Sequence, residues 1–170
     1  ASVCVKIVLT SLWQGCGMEQ CPLTSVYFTV ALRHAGDDLL VLELPRLRAA
    51  MQLTQGELAF VMPAWVVLPD HLHCIWQLPA GDADFTTRWR RIMRRFDVSL
   101  PKGPRRLAQI MGGERGIWAQ DFLAEPIGST GAMAQRMADL AQDPARHGLV
   151  EDAADWPFSS FARRGDLALA

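Results

Sequence analysis

An α/β (α+β) fold, built as an antiparallel sheet with helices packed on it, is predicted by three features of this chain. SVYFTVAL (25–32), AWVVL (64–68) and HLHCIWQL (71–78) are rich in the β-branched and aromatic residues that suit strands. LPRLRAAMQLTQ (44–55) and DFTTRWRRIMRRF (84–96) carry apolar residues at helical spacing instead. Between the second and third of the β-rich runs, Pro69-Asp70 forms a tight turn, so those two strands pair as a hairpin.

Each element follows in order. ASVCVKIVLTSLW, at the start, reads as a strand or an early helix, because one lysine and the polar Thr10 and Ser11 spoil a signal-peptide plan. After the strand at 25–32, AGDD (35–38) is turn-forming and LLVLEL (39–44) resumes an extended pattern. Pro45 suits the first turn of a helix whose inner stripe is Leu44, Leu47, Ala50 and Met51, ending near Gly56. The hairpin follows. Asp84 then caps a helix whose core stripe is Phe85, Trp89, Ile92, Met93 and Phe96. PKGPRRL (101–107) is a loop. A last helix spans 132–142 with Met133, Met137 and Leu140 inward, and Pro144 stops it at Asp143. Trp156, Phe158 and Phe161 are packing anchors for the C-terminal stretch.

Composition bounds the function. With 50% hydrophobic and 21% charged residues among 170, one globular domain with a proper core is expected. No apolar run reaches the ~18 residues of a membrane span. Four cysteines without a CxxC pair encode neither a zinc knuckle nor a disulfide framework, which suits a reducing cytoplasm.

Two features point to chemistry. His71 and His73 stand two apart in a strand, so both rings leave the same face and offer two ligands to a divalent metal. The third ligand is not in that motif. Net charge is −1, yet residues 88–106 sum to +7, leaving −8 elsewhere. Arg88, Arg90, Arg91, Arg94, Arg95, Lys102, Arg105 and Arg106 face only Asp97 there. Five helical arginines without an interleaved acid repel one another, which marks a polyanion-binding face. Trp89 and Trp118 are core residues unless exposed, where either would stack a base.

The order of landmarks carries a resemblance. TSVYFTVAL, the run AWVVLPDHLHCIWQLPAGDADFTTRWRRIMRRF, GERGIW and DPARHGLVEDAADWPFSSF together resemble the REP-associated tyrosine transposases of the HUH superfamily, over residues 24–164. That resemblance implies a ferredoxin-like domain at 24–164, a 1–23 extension and a 165–170 tail. It also implies a Mg²⁺ or Mn²⁺ ion held by His71 and His73 on a middle strand, and a tyrosine on a C-terminal helix that attacks the scissile phosphate. The partner implied is hairpin-forming single-stranded DNA.

The chain departs from that pattern where the chemistry lies. The family places its tyrosine four residues before the asparagine of an NP-x-[KR]-H-G segment. In ADLAQDPARHG, Asp139 and Asp143 stand at those two positions. The only tyrosine is Tyr27, in the first β-rich run, where it reads as a sheet aromatic. AQDFLAEPI (119–127) adds Asp121 and Glu125 to a stretch that is more basic in the family. The sequence therefore predicts a hairpin-DNA-binding protein impaired in strand transfer, with Asp143 as third metal ligand and Asp139 in the nucleophile's place. Two alternatives stay open: a nickase using Tyr27 or an activated water, and a protein-interaction module without a nucleic-acid role.

Overall fold

Strands β1 (Cys4–Ile7), β2 (Thr24–Ala31), β3 (Val61–Val67), β4 (His71–Leu78) and β5 (Asp121–Ile127) form one sheet in the order β1-β5-β2-β4-β3. This is the arrangement of a computed structural model, which describes residues 4–7, 24–101, 116–163 and 169. β2, β3, β4 and β5 pair antiparallel, while β1 joins β5 in parallel. The sheet thus reaches into the segment expected to lie outside the domain. PKGPRRL lies outside the described residues from Lys102 on.

The period of two along each strand sorts side chains onto two faces. One face carries Val26, Phe28 and Val30 of β2 and Leu72, Cys74, Trp76 and Leu78 of β4. Helices α2 (Leu44–Glu57) and α3 (Phe85–Ser99) cover it. Their inner stripes are the expected ones, Leu44, Leu47, Ala50 and Met51 on α2 and Trp89, Ile92, Met93 and Phe96 on α3. Trp76 stacks on Trp89 with ring centroids 4.5 Å apart, and Phe60 stacks on Trp76 at 4.3 Å. Trp89 is fully buried and Trp118 nearly so. Truncating a ring such as Trp89 would cost about 3–5 kcal/mol, so neither indole is available to stack on a base.

The opposite face carries Tyr27, Ala64, Val66, Leu68 and Ile75, closed by Leu140 with Met133 and Met137 of helix α4 (Thr130–Arg146). Beyond α4 the chain passes a 3-10 turn (Ala153–Asp155) and runs along β3. There the Phe158 carbonyl accepts from Val67 N–H, Ser160 N–H donates to the Trp65 carbonyl, and the Trp156 indole donates to the Val67 carbonyl. These bonds close a sheet edge that would otherwise be open to pairing.

Two element expectations are corrected. LLVLEL is not extended: Leu39–Leu42 form a short helix, α1, and Leu44 opens α2. Leu40 and Leu44, four apart, are buried while Leu42 between them is exposed, so the run packs at helical spacing and not by alternation. Pro144 does not stop the last helix, which continues to Arg146. A proline inside a helix forfeits one N–H bond, yet Pro144 is buried within α4 and the helix carries on through it. The stop is Gly148, at φ 68°. Its N–H bonds the Ala145 carbonyl and Leu149 N–H bonds that of Pro144, the paired bonds of a Schellman ending.

Candidate functional site

Because β4 alternates, His71 and His73 leave the sheet on the α4 face, away from α2 and α3. Their rings lie 5.0 Å apart between centroids. The C-cap of α4 is His147, and its ring lies 4.9 Å from that of His71. One ligand nitrogen from each of the three falls within 4.8 Å of the other two. No sequence argument gave His147 a role. The signal was present, since a histidine before the glycine that ends a helix is fixed where the helix stops.

Each strand histidine has one nitrogen engaged by the protein. The His73 Nδ1 lies 2.9 Å from both the Tyr27 hydroxyl and the Thr29 hydroxyl. The register brings them together, because Thr29 is paired with His73 across β2 and β4. His71 Nδ1 lies 2.6 Å from Asp70 Oδ1, while Asp70 Oδ2 accepts from the Gly36 N–H at 2.6 Å. Burial works against the Asp70 carboxylate, but the Gly36 N–H and the His71 ring outweigh it and hold the group below its ordinary range. Nε2 is then the nitrogen left to each ring for a ligand, with Nδ1 held by an outer partner that fixes its orientation. Burial, reinforced by the neighbouring His71 and His147 rings, lowers His73 to about 3, so it is a neutral donor at any ordinary pH. These features fit a divalent cation.

The carboxylates expected at the site divide. Asp143 Oδ2 approaches His73 Nε2 to 4.0 Å, and burial raises its carboxyl against the opposing pull of Arg146 and the histidines. It borders the three rings without joining their group. Asp139, one turn earlier on α4, is half-buried and bonds Arg146 and Gln135, each at 3.2 Å. It stands where the resemblance puts the nucleophile, but it is engaged along its own helix.

Tyr27 is 8% exposed, and its hydroxyl is turned toward His73. The Arg136 guanidinium lies 4.7 Å over the ring and is itself paired with Glu125. Burial, with the charge of Asp143 adding to it, pushes the phenol up to about 12 against the Thr29 hydrogen bond. A phenol so placed orients an imidazole and is poorly suited to attack a phosphate.

The arginine helix is on the other side of the sheet, and its cations are unequal. Arg88 is buried and cannot meet DNA, a correction to its place in the basic face. Its guanidinium bonds both oxygens of Asp82 and the carbonyls of Leu58, Ala59 and Asp84, tying the start of α3 to the end of α2. Arg91 and Arg95 grip Glu57 of α2 at 2.6 and 2.5 Å. The missing acids were therefore present, on other elements. Arg90 and Arg94 are exposed, with no acid bonded to them among the described residues. Lys102, Arg105 and Arg106 lie outside the described residues.

Known proteins share this architecture. A REP-associated tyrosine transposase of Escherichia coli strain K12 is 36% identical over 137 residues, 81% of this chain and 76% of that protein. A Haemophilus influenzae relative named for the same transposases is 31% identical over 139 residues, 81% and 79% of the two chains. A solved REP-associated tyrosine transposase bound to a REP hairpin superposes with a TM-score of 0.70 at 32% identity, covering 91% of this chain and 90% of that one. A Deinococcus radiodurans chain at 17% identity and a TM-score of 0.51 shares the fold. No protein-family model matches the chain.

Proposed function

The chain belongs to the REP-associated tyrosine transposases, and on that premise we propose that it binds hairpin-forming single-stranded DNA without the covalent step of a tyrosine nucleophile. His71 and His73 hold a divalent ion of the Mg²⁺ or Mn²⁺ class beside Asp143, in a cytoplasmic setting. The carrying observation is the pairing of a prepared histidine site with Asp139 on α4, while the only tyrosine is buried with its hydroxyl on His73.

When bound, a divalent ion supplies Lewis-acid polarisation of a phosphate. The chain's own residues do the rest. Asp70, Tyr27 and Thr29 hold the two imidazoles in one orientation. Arg90 and Arg94 offer phosphate contacts on the far side of the sheet, and the solved relative bound to a hairpin supports that partner. Asp139 is an acceptor already bonded to Arg146, so the residue at the nucleophile's place is engaged along its own helix.

The test is anisotropy with labelled hairpin DNA, followed by denaturing gels after incubation with Mn²⁺. Salt-sensitive binding without a protein–DNA adduct is expected. An adduct lost in Tyr27→Phe would overturn the impaired reading, and absence of binding at low salt would overturn the DNA reading.

A further inference from the structure

We infer that His147 supplies a third imidazole to the ion held by His71 and His73, and that this set selects a borderline transition-metal ion over magnesium. The inference rests on the metal reading above and deepens it. His71 and His73 are fixed by partners on their Nδ1 atoms. His147 is exposed at the helix C-cap, so its ring has room to turn while its backbone is held by the Schellman bonds at Gly148. A movable ligand thus faces a rigid pair.

The distances suit this closure. Nitrogens bound to one ion at ~2.0–2.1 Å sit roughly 3–3.5 Å apart. The three rings already present nitrogens within 4.8 Å of one another, so side-chain rotation of about an ångström closes the set. Asp143, the oxygen donor expected from sequence, is placed less well. Its Oδ2 is 4.0 Å from His73 Nε2 and its Oδ1 is 3.7 Å from Arg146. A carboxylate shared with a guanidinium must give up that partner to become a ligand.

Donor chemistry sets the preference. Magnesium takes oxygen ligands and gives up water reluctantly. Imidazole nitrogens suit zinc and the borderline ions near it, whereas magnesium and manganese take oxygen donors, and affinity for a nitrogen site rises from manganese to cobalt.

The experiment titrates Co²⁺ into the metal-free full chain, reads its visible absorption, and competes it with Zn²⁺ and Mg²⁺. Saturable bands displaced by Zn²⁺ but not by excess Mg²⁺ are expected. Removing an outer partner of a ligating histidine costs about 10–100-fold in affinity, so His147→Ala should cost about 100-fold or more and alter the spectrum. His147→Gln should do the same, and Asp143→Ala should cost less than either. Wild-type affinity and spectrum in His147→Ala, with binding lost in His71→Ala, would overturn the three-imidazole set and leave the two-histidine reading standing. No binding of any ion to the wild type would overturn both.

Discussion

The two faces of the sheet treat their polar side chains in opposite ways. Under α2 and α3, the prominent cations are largely committed to the protein: Arg88 to Asp82 and three carbonyls, Arg91 and Arg95 to Glu57. Under α4, the partners of His71 and His73 engage one nitrogen of each ring and leave the other. A dense run of charge can therefore be architecture, while two modest imidazoles are prepared for a ligand. What separates the cases is which atoms the partners use.

Acid should separate the faces first and most strongly. His73 is held near 3 when folded, whereas in the unfolded chain it takes a proton near its ordinary 6.5. Between those values the unfolded state binds the extra proton. Stability is thus present above pH 6.5 and drains as pH falls through the window, by at most about 1.4 kcal/mol per pH unit for one proton. Asp82 behaves differently: its bonds to Arg88 and to the Asp84 N–H hold it below its ordinary range, so its contribution persists above that range and fades only below about pH 4. Urea melts in chelator should show His73→Gln flattening the upper window and Asp82→Asn flattening only the acid end. An unchanged slope between pH 6.5 and 4 in His73→Gln would break the contrast.

Among the arginines, the comparison predicts a split inside one helix. Arg88→Ala removes a buried guanidinium from three carbonyls and from Asp82, which is itself a third exposed, and leaving such acceptors unsatisfied costs about 1–3 kcal/mol. Arg90→Ala should stay within about 0.5 kcal/mol by the same denaturation assay. In DNA binding the order reverses. Each phosphate contact contributes ~0.7–0.9 to the salt slope, so Arg90→Ala with Arg94→Ala should make log Kd against log salt shallower by about 1.4–1.8. A slope unmoved by the double substitution would remove this face from the DNA surface.

Much of this was legible in the sequence because local signals and tertiary outcome agree. The core stripes of α2 and α3, the Asp84 cap and the hairpin around Pro69-Asp70 follow from spacing within one segment. The placement of His71 and His73 on one face follows from the strand period. What was not legible depends on contacts between segments. Glu57 and Asp82 lie outside the α3 arginine run, so the apparent repulsion had no visible answer. LLVLEL fits a strand or a helix by composition, and the burial of Leu40 with Leu44, four apart, is the helical outcome. The reach of α4 past Pro144 depended on Gly148, and with it the position of His147. Tyr27 reads as a sheet aromatic from its strand, but its bond to His73 needs the β2–β4 register.

That bond carries the smallest effect and the sharpest test of the histidine face. If Tyr27 serves to orient His73, Tyr27→Phe keeps the ring, its packing and the Arg136 contact, and removes only the hydroxyl. The Thr29 hydroxyl remains on the same nitrogen, so the loss is partial. Losing an outer partner of a ligating histidine weakens metal binding by about 10–100-fold, and the retained Thr29 places the expected loss near about tenfold. The thermal midpoint should move little. Tyr27→Phe with Thr29→Val frees the nitrogen entirely, so a second, larger loss is expected from the pair than from either alone. Isothermal titration of the single and double variants reads this directly. Equal metal affinity in all of them would mean that the sheet holds His73 by packing alone, and that the phenol is no more than the aromatic the sequence first suggested.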